Sequence, residues 1–201
     1  MISQHILLAL LWILYGLLHS WLAGISFKQK AKQWMKDQYQ YYRIYYTVFA
    51  FVTFAAILYY QIQLTSPLLW PITKATMLTG GGITLAVLTL MGICIRKYFF
   101  SLSGLKSLFT GSTSNTLMIS GIHKYMRHPL YLGTFAFIWG LWIVFPYASL
   151  LIANTIITAY TLIGIRLEEE KLIKEYGDDY RKYRQTVPML LPFLKSRKAA
   201  A

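Results

Sequence analysis

Charged residues are scarce in this sequence, and acidic residues are the scarcest. Only 13 % of the 201 residues are charged, whereas a soluble domain carries about 25 %. Seven residues are Asp or Glu, twenty are Lys or Arg, and 56 % of the chain is hydrophobic. This composition argues against an ordinary water-soluble domain and predicts an integral membrane protein.

Cysteine is almost absent, because the chain contains only Cys94. One thiol cannot build a disulfide framework or a cysteine-ligated metal site, and we expect no metal. The first residues, MISQHILLALLW, lack the basic stretch of a cleaved signal peptide. We therefore expect the N-terminus to be retained as a membrane span.

Long apolar segments, by contrast, are abundant. The sequence contains four uncharged segments. The last of them, 130–165, is too long for one span, and Pro146 within it cannot continue a helical hydrogen-bond ladder. It therefore predicts a tight helical hairpin of residues 130–145 and 147–165. The fold class is then an all-α integral membrane protein with five transmembrane helices. The first three uncharged segments, each about 20 residues long and able to cross a hydrocarbon core of about 30 Å, are 5–25, 44–64 and 76–95.

The basic residues are distributed unevenly along the chain. All except Lys74 fall in segments 26–43, 96–129 and 166–201, which share one membrane face if there are five spans. The positive-inside rule makes that face cytoplasmic. We expect a bacterial inner-membrane protein with its N-terminus outside and a C-terminal helix in the cytoplasm. The charge then serves topology and contact with membrane lipid, so we expect no nucleic-acid partner. The oligomeric state stays open.

Two charged segments stand at the ends of the predicted hairpin. In HKYMRHPLYLG, Pro129 suits the first turn of a helix, whose free N–H groups attract anions, and Arg127 offers a bidentate fork to a carboxylate. The second segment, IRLEEEKLIKEYGDDYRKY, begins at Arg166. Because a hairpin of equal helices returns to the level at which it entered, we expect His128 and Glu168 to lie near each other. Residue types alone also fit lipid-facing anchors and a solvated helix face.

The two segments together resemble the C-terminal half of isoprenylcysteine carboxyl methyltransferases and related phospholipid methyltransferases. HSWLA and YYRIYY are similar to the first spans of bacterial members, which include methanethiol S-methyltransferases. One departure is His123, where many members have Tyr. The residues that match the family pattern in order, within roughly 117–193, are Gly121, Arg127, His128, Pro129, Tyr131, Gly133, Glu168, Glu169, Leu172, Tyr176, Gly177, Tyr180, Tyr183, Val187, Pro188 and Pro192.

The resemblance implies a membrane methyltransferase that uses S-adenosylmethionine as its cofactor. The methyl acceptor would be a small or lipophilic molecule: an isoprenylcysteine-like carboxylate, a thiol or a phospholipid amine. We expect one membrane domain, in which residues 1–100 form a three-span part, 117–193 bind the methyl donor and 194–201 form a tail.

The resemblance also implies where the donor and the acceptor bind. Arg166 and His128 would act on the acceptor. His19, inside the first span, is either a second acceptor contact or a hydrogen-bonded histidine between helices. The residues expected to bind the donor are His123, Tyr125, Arg127, His128, Pro129, Leu130, Tyr131, Glu168 and Glu169.

Two other functions are compatible with the residues. One is an NADPH-dependent reductase of the sterol-reductase type, although this chain has Leu130 and Thr134 where those enzymes carry Asn and Asp. The other is a non-catalytic membrane accessory protein that has kept the fold.

Overall fold

The structure, a computed structural model, describes residues 1–102, 117 and 119–192; the predicted tail at 194–201 lies outside the described residues. Regular structure in this part of the chain is helical, apart from one isolated β-bridge between Leu68 and Tyr147. Short 3₁₀ turns occupy Lys36–Tyr41 and Gly121–Lys124. The α-helices are α1 (Ile2–Ala23), α2 (Ile25–Met35), α3 (Tyr42–Gln63), α4 (Lys74–Leu102), α5 (Pro129–Val144), α6 (Ala148–Tyr176) and α7 (Asp178–Thr186).

The long apolar helices confirm a membrane-type all-helical fold. Four described segments are long and apolar enough to cross a membrane: α1, the run Ile25–Gln63 that ends with α3, Lys74–Gly92 of α4, and α6. The fifth apolar helix, α5, has 16 residues, which is about 24 Å at 1.5 Å per residue. It is therefore shorter than the hydrocarbon core of about 30 Å that a span must cross.

The described chain divides into two compact units. The first comprises Met1–Pro71 and Phe145–Tyr160. Its buried core contains Leu8 and Trp12 of α1, Ile57 of α3 and Ala153 of α6. The indole N–H of Trp12 donates to Gln61 Oε1 at 2.9 Å, which gives this buried amide a partner.

The predicted break at Pro146 is confirmed, because α5 ends at Val144 and α6 begins at Ala148. Residues around Pro146 bond to the connection that follows α3. The Pro146 carbonyl accepts from Leu69 N at 2.9 Å, and Ala148 N donates to the Pro67 carbonyl at 3.0 Å. These bonds satisfy backbone groups where no helical ladder can.

The second unit comprises Ile72–Val144 and Thr161–Ala201, and glycines bring α4 and α5 close together within it. A Cβ added at Gly80 would lie 2.7 Å from the Gly140 carbonyl oxygen, and one added at Gly140 would lie 2.7 Å from Thr84 Oγ1. Small residues allow this backbone approach between apolar helices. Gly177, with φ +56°, joins α6 to α7 in a conformation that favours glycine.

Candidate active site

The segment Arg127–Pro129, at the start of α5, is held by the chain that follows α7. Arg127 N donates to the Pro188 carbonyl at 3.0 Å, and His128 N donates to the Met189 carbonyl at 3.1 Å. Pro129 is the first residue of α5, as its fixed φ and missing N–H favour. The side chains of Arg127 and His128 are thereby fixed just ahead of a helix N-terminus.

A buried ionic cluster joins these two side chains to α6. Glu169 Oε1 lies 2.9 Å from Arg127 Nη2 and 3.1 Å from His128 Nε2. His128 and Glu169 are 5 % and 8 % exposed, and the Arg127 side chain is 9 % exposed. A carboxylate that is this deeply buried needs partners, and Arg127 and His128 both contact the carboxylate of Glu169.

The neighbouring carboxylate, Glu168, points to a different partner. Successive residues on a helix face directions about 100° apart. While Glu169 meets Arg127 and His128, Glu168 Oε2 accepts a hydrogen bond from the Tyr131 hydroxyl at 2.9 Å. Glu168 is half-buried, so one carboxylate is enclosed and the other is accessible. The two predicted charged segments are therefore in contact at Glu168 and at Glu169.

Two tyrosines of α7, Tyr180 and Tyr183, lie next to Arg127 and Glu169. Tyr183 donates its hydroxyl proton to the His123 carbonyl at 2.6 Å. Tyr180 is 1 % exposed. Burial, followed by the negative charge of Glu169, raises the pKa of Tyr180 well above its usual value, and burial raises the pKa of Tyr183 to about 12. Both hydroxyls therefore keep their protons at neutral pH.

Two buried polar atoms of the cluster have no hydrogen-bond partner among the described residues: Arg127 Nε and the Tyr180 hydroxyl. The rest of the Arg127 guanidinium is engaged, because Nη1 donates to the Arg184 carbonyl at 2.8 Å and Nη2 pairs with Glu169. Burial is the main cause that lowers the pKa of Arg127, but an arginine stays charged in proteins. A buried donor without a partner carries an unmet cost of about 1–3 kcal/mol, which a bound acceptor would remove.

The other residues predicted for the site are placed more loosely. His123 Nδ1 lies 3.2 Å from the Arg127 carbonyl oxygen. Leu130 is half-buried on α5, whereas Tyr125 is 65 % exposed. Arg166 is exposed on α6, and its side chain makes no hydrogen bond or ion pair with residues that the structure describes.

His19 belongs to the first unit rather than to the unit that carries the cluster. Its Nε2 lies 2.8 Å from the Tyr46 hydroxyl. Tyr46 belongs to α3, so this hydrogen bond joins two helices. A contact of His19 with the acceptor stays a prediction.

Sequence reasoning did not assign roles to several residues that build the site. Tyr180 and Tyr183 carried a signal, because their i, i+3 spacing places them on one helix face within the family pattern. No sequence pattern identifies the bonds to the carbonyls of Arg184, Pro188 and Met189, since every residue has a carbonyl group.

The cluster fits the chemistry of S-adenosylmethionine, which combines a carboxylate, an ammonium group, ribose hydroxyls and an adenine ring. The unpartnered donors Arg127 Nε and the Tyr180 hydroxyl suit the carboxylate. Glu168 is an accessible acceptor for the ammonium group or the ribose. No group of three or more His, Cys, Asp or Glu that could hold a metal ion occurs among the described residues.

Comparison with protein families gives one match. A family described as "Phospholipid methyltransferase" matches residues 76–179. This range contains Arg127, His128, Glu168 and Glu169, the ionic part of the cluster.

Several curated proteins are also similar to the chain. Methanethiol S-methyltransferase 1 of Bradyrhizobium diazoefficiens is 40 % identical over 75 residues, which cover 37 % of this chain and 26 % of that protein. The Crocosphaera subtropica methanethiol S-methyltransferase is 42 % identical over 72 residues, covering 36 % and 28 %. The human protein-S-isoprenylcysteine O-methyltransferase is 30 % identical over 141 residues, covering 64 % and 46 %. The chain thus spans less than half the length of each of these relatives. No solved structure matches it significantly.

Proposed function

The chain belongs to the phospholipid methyltransferase family, and we propose that it is a membrane methyltransferase that uses S-adenosylmethionine to methylate a small or lipophilic acceptor. The observation that carries the proposal is the buried cluster of Arg127, His128 and Glu169, distant in sequence and joined by bonds of 2.9 and 3.1 Å. A lipid-facing anchor would leave these side chains exposed at the membrane surface. Instead they are enclosed within the region that the family match covers.

The donor would be bound by groups on three elements. The Arg127 Nε–H and the Tyr180 hydroxyl would bind its carboxylate, and Glu168 would accept from its ammonium group or ribose. Leu130 and the ring of Tyr131 would face the adenine, with His123, Tyr125 and Pro129 around them. When bound, S-adenosylmethionine supplies a methyl group on a cationic sulfur.

The work of the protein is then to orient the reactants and exclude water. Methyl transfer is an in-line displacement that gains most from alignment and from a dry site. An acidic acceptor such as a thiol must also lose a proton. Because His128 Nε2 is held by Glu169, His128 Nδ1 is the nitrogen that would accept this proton. For a carboxylate acceptor, the exposed guanidinium of Arg166 would supply the counter-charge.

The relatives limit the acceptors that are worth testing. Two of the relatives are named for methanethiol and one for protein S-isoprenylcysteine. We propose an acceptor whose methylated group is a thiol or a carboxylate. The phospholipid methyltransferase family suggests a phospholipid amine as a third class.

The donor-binding region is proposed to face the cytoplasm, and α5 to be the fourth of five spans, with α6 as the fifth. The basic segments on either side of α5 and α6 support this orientation. A helix of 16 residues can cross where the bilayer thins locally, at a modest energetic cost. Residues 117–193 would form the catalytic part of a single membrane domain.

The test uses the full chain in phospholipid nanodiscs. Binding of S-adenosylmethionine is measured by calorimetry, and transfer of a radiolabelled methyl group is measured with methanethiol, S-farnesylcysteine and phosphatidylethanolamine as acceptors. Glu168→Gln should weaken donor binding about tenfold, because it removes one charge-assisted hydrogen bond. Glu170→Gln is the matched control, since Glu170 is exposed on the same helix. Absence of donor binding by the wild-type protein would overturn the proposal.

A further inference from the structure

The first unit contains an apolar cavity of about 240 Å³ between α1 and α3. Residues three or four apart on each helix line it, so one face of each helix contributes. Both helices are among the segments long and apolar enough to cross a membrane. The cavity therefore opens between helices whose surroundings are hydrocarbon. The apolar part of its lining includes Leu14, Leu18, Phe49, Ala50, Ala56 and Ile57.

One end of the cavity is lined by a histidine and a tyrosine. His19 and Tyr46 both line it, and the Tyr46 hydroxyl lies 2.8 Å from His19 Nε2. The ring of His19 also lies 5.8 Å from that of Tyr15 and 6.4 Å from that of Tyr160. This His19–Tyr46 pair stands near the end of α1, where Tyr42 donates to the Leu22 carbonyl at 2.6 Å. The opposite end, at Leu11 and Ile57, is apolar.

The lining excludes a charged ligand. None of the described lining residues is Lys, Arg, Asp or Glu, and a charge buried without a counter-ion would be costly. A hydroxyl or thiol, by contrast, can exchange hydrogen bonds with an imidazole and a phenol. The ligand end that meets His19 and Tyr46 is therefore neutral and polar.

The volume sets the size of the ligand. An apolar protein cavity of about 150 Å³ binds benzene, which has six non-hydrogen atoms, so a cavity of about 240 Å³ has room for roughly ten. Methanethiol is far too small to fill this space. A long phospholipid acyl chain would fit only in part.

From these observations we propose that the cavity binds a neutral single-chain amphiphile of medium length, with its hydroxyl or thiol hydrogen-bonded to the His19–Tyr46 pair and its alkyl chain between α1 and α3. The ligand enters from the hydrocarbon phase, because both helices are apolar along the faces that they expose. The site is additional to the proposed methyl transfer and does not depend on it.

The first test is photolabelling in nanodiscs with a diazirine analogue of octan-1-ol, followed by peptide mapping with mass spectrometry. We expect labels on α1 and α3. Ala50→Phe fills the cavity and should reduce this labelling about tenfold, since it removes the burial of one to two methylene groups. Ala55→Phe is the matched control, because Ala55 is exposed on α3 and does not line the cavity. Ala56→Phe is a second filling variant in case the first does not fold.

The second test addresses the polar end. Unlabelled octan-1-ol and octane-1-thiol should compete with the probe about tenfold better than octane in the wild-type protein, because only the alcohol and the thiol can form a hydrogen bond with the His19–Tyr46 pair. In Tyr46→Phe the alcohol and the alkane should compete equally. Equal competition in the wild type would mean an unspecific acyl-chain groove and would overturn the proposal. Equal labelling of Ala50→Phe and Ala55→Phe would do the same.

These outcomes are separable from those for methyl transfer. Labelling that persists in a protein unable to bind S-adenosylmethionine would leave this site standing while the proposed function fails. Loss of labelling with intact donor binding would contradict this site and leave the proposed function standing.

Discussion

Glu169 Oε1 lies 2.9 Å from Arg127 Nη2, although Glu169 belongs to α6 and Arg127 precedes α5. The pair is enclosed, and the same oxygen also meets His128 Nε2 at 3.1 Å. A buried ion pair of this kind is not itself a large source of stability, but removal of one partner leaves the other charge buried alone. The Arg127–Glu169 contact therefore couples the folding of this unit to the integrity of the proposed donor site.

Glu169→Gln should lower both stability and activity. The change leaves the Arg127 guanidinium without its carboxylate, so we expect the free energy of unfolding to fall by about 3 kcal/mol. Thermal unfolding in nanodiscs measures this loss, and a methyl-transfer assay measures the effect on activity. Glu170→Gln, on the exposed face, should change neither. A Glu169→Gln protein as stable as the wild type would show that the pair is dispensable.

Two tyrosines on one face of α7 should respond differently to loss of the hydroxyl. Tyr180→Phe removes a buried hydroxyl without a partner among the described residues, so stability should be unchanged or slightly higher, while affinity for S-adenosylmethionine falls. Tyr183→Phe removes the 2.6 Å bond to the His123 carbonyl and should cost about 1 kcal/mol of stability. Chemical denaturation and calorimetry of both variants provide the comparison. Unchanged donor affinity in Tyr180→Phe would remove this hydroxyl from the site.

Alkaline pH should destabilise the protein partly through Tyr183. Its pKa is raised to about 12 in the folded chain from an ordinary value of 10.0. Between these two values the unfolded state loses the proton while the folded state keeps it, so stability falls as the pH rises through this window. Below a pH of 10.0, the contribution of Tyr183 to stability is fully present. Melting temperatures at pH 8 and pH 11 should differ less in Tyr183→Phe than in the wild type; equal differences would contradict the assignment.

Close packing of α4 against α5 should depend on Gly80 but not on Gly81. Gly80→Val places a side chain 2.7 Å from the Gly140 carbonyl oxygen, and the overlap should cost about 2 kcal/mol. Gly81→Val meets nothing within 4 Å and serves as the control. Thermal unfolding of both variants would reveal the difference. Equal melting temperatures would show that the helices can separate without cost.

The sequence predicted the helical architecture well because apolar length and proline are strong signals. The break at Pro146 appears where its missing N–H requires it. Helix ends were predicted less well: α4 continues to Leu102 and α6 to Tyr176, beyond the uncharged segments. Charged residues such as Lys and Glu are good helix formers, so a helix need not end where its apolar part ends.

The meeting of the two charged segments followed from hairpin geometry, but the individual partners did not. Glu168 and Glu169 are adjacent and chemically identical, so only the helix rotation in the structure decides that Glu169 faces Arg127 while Glu168 faces Tyr131. The length of α5 was predicted, because Pro129 and Pro146 bound the apolar run: the helix has 16 residues, as many as the predicted segment 130–145.

The orientation in the membrane should be testable at Lys74, the one basic residue outside the three basic segments. In a Cys94→Ser background, Lys74→Cys should react with a membrane-impermeant maleimide added to spheroplasts, because five spans and an external N-terminus place residue 74 outside. Lys171→Cys, exposed on α6, should react only after the membrane is permeabilised, as the positive-inside rule requires. If α5 does not cross the bilayer, only α4 and α6 cross between residues 74 and 171, so both positions lie on the same side of the membrane. Labelling of both cysteines from one side would therefore disprove the five-span topology.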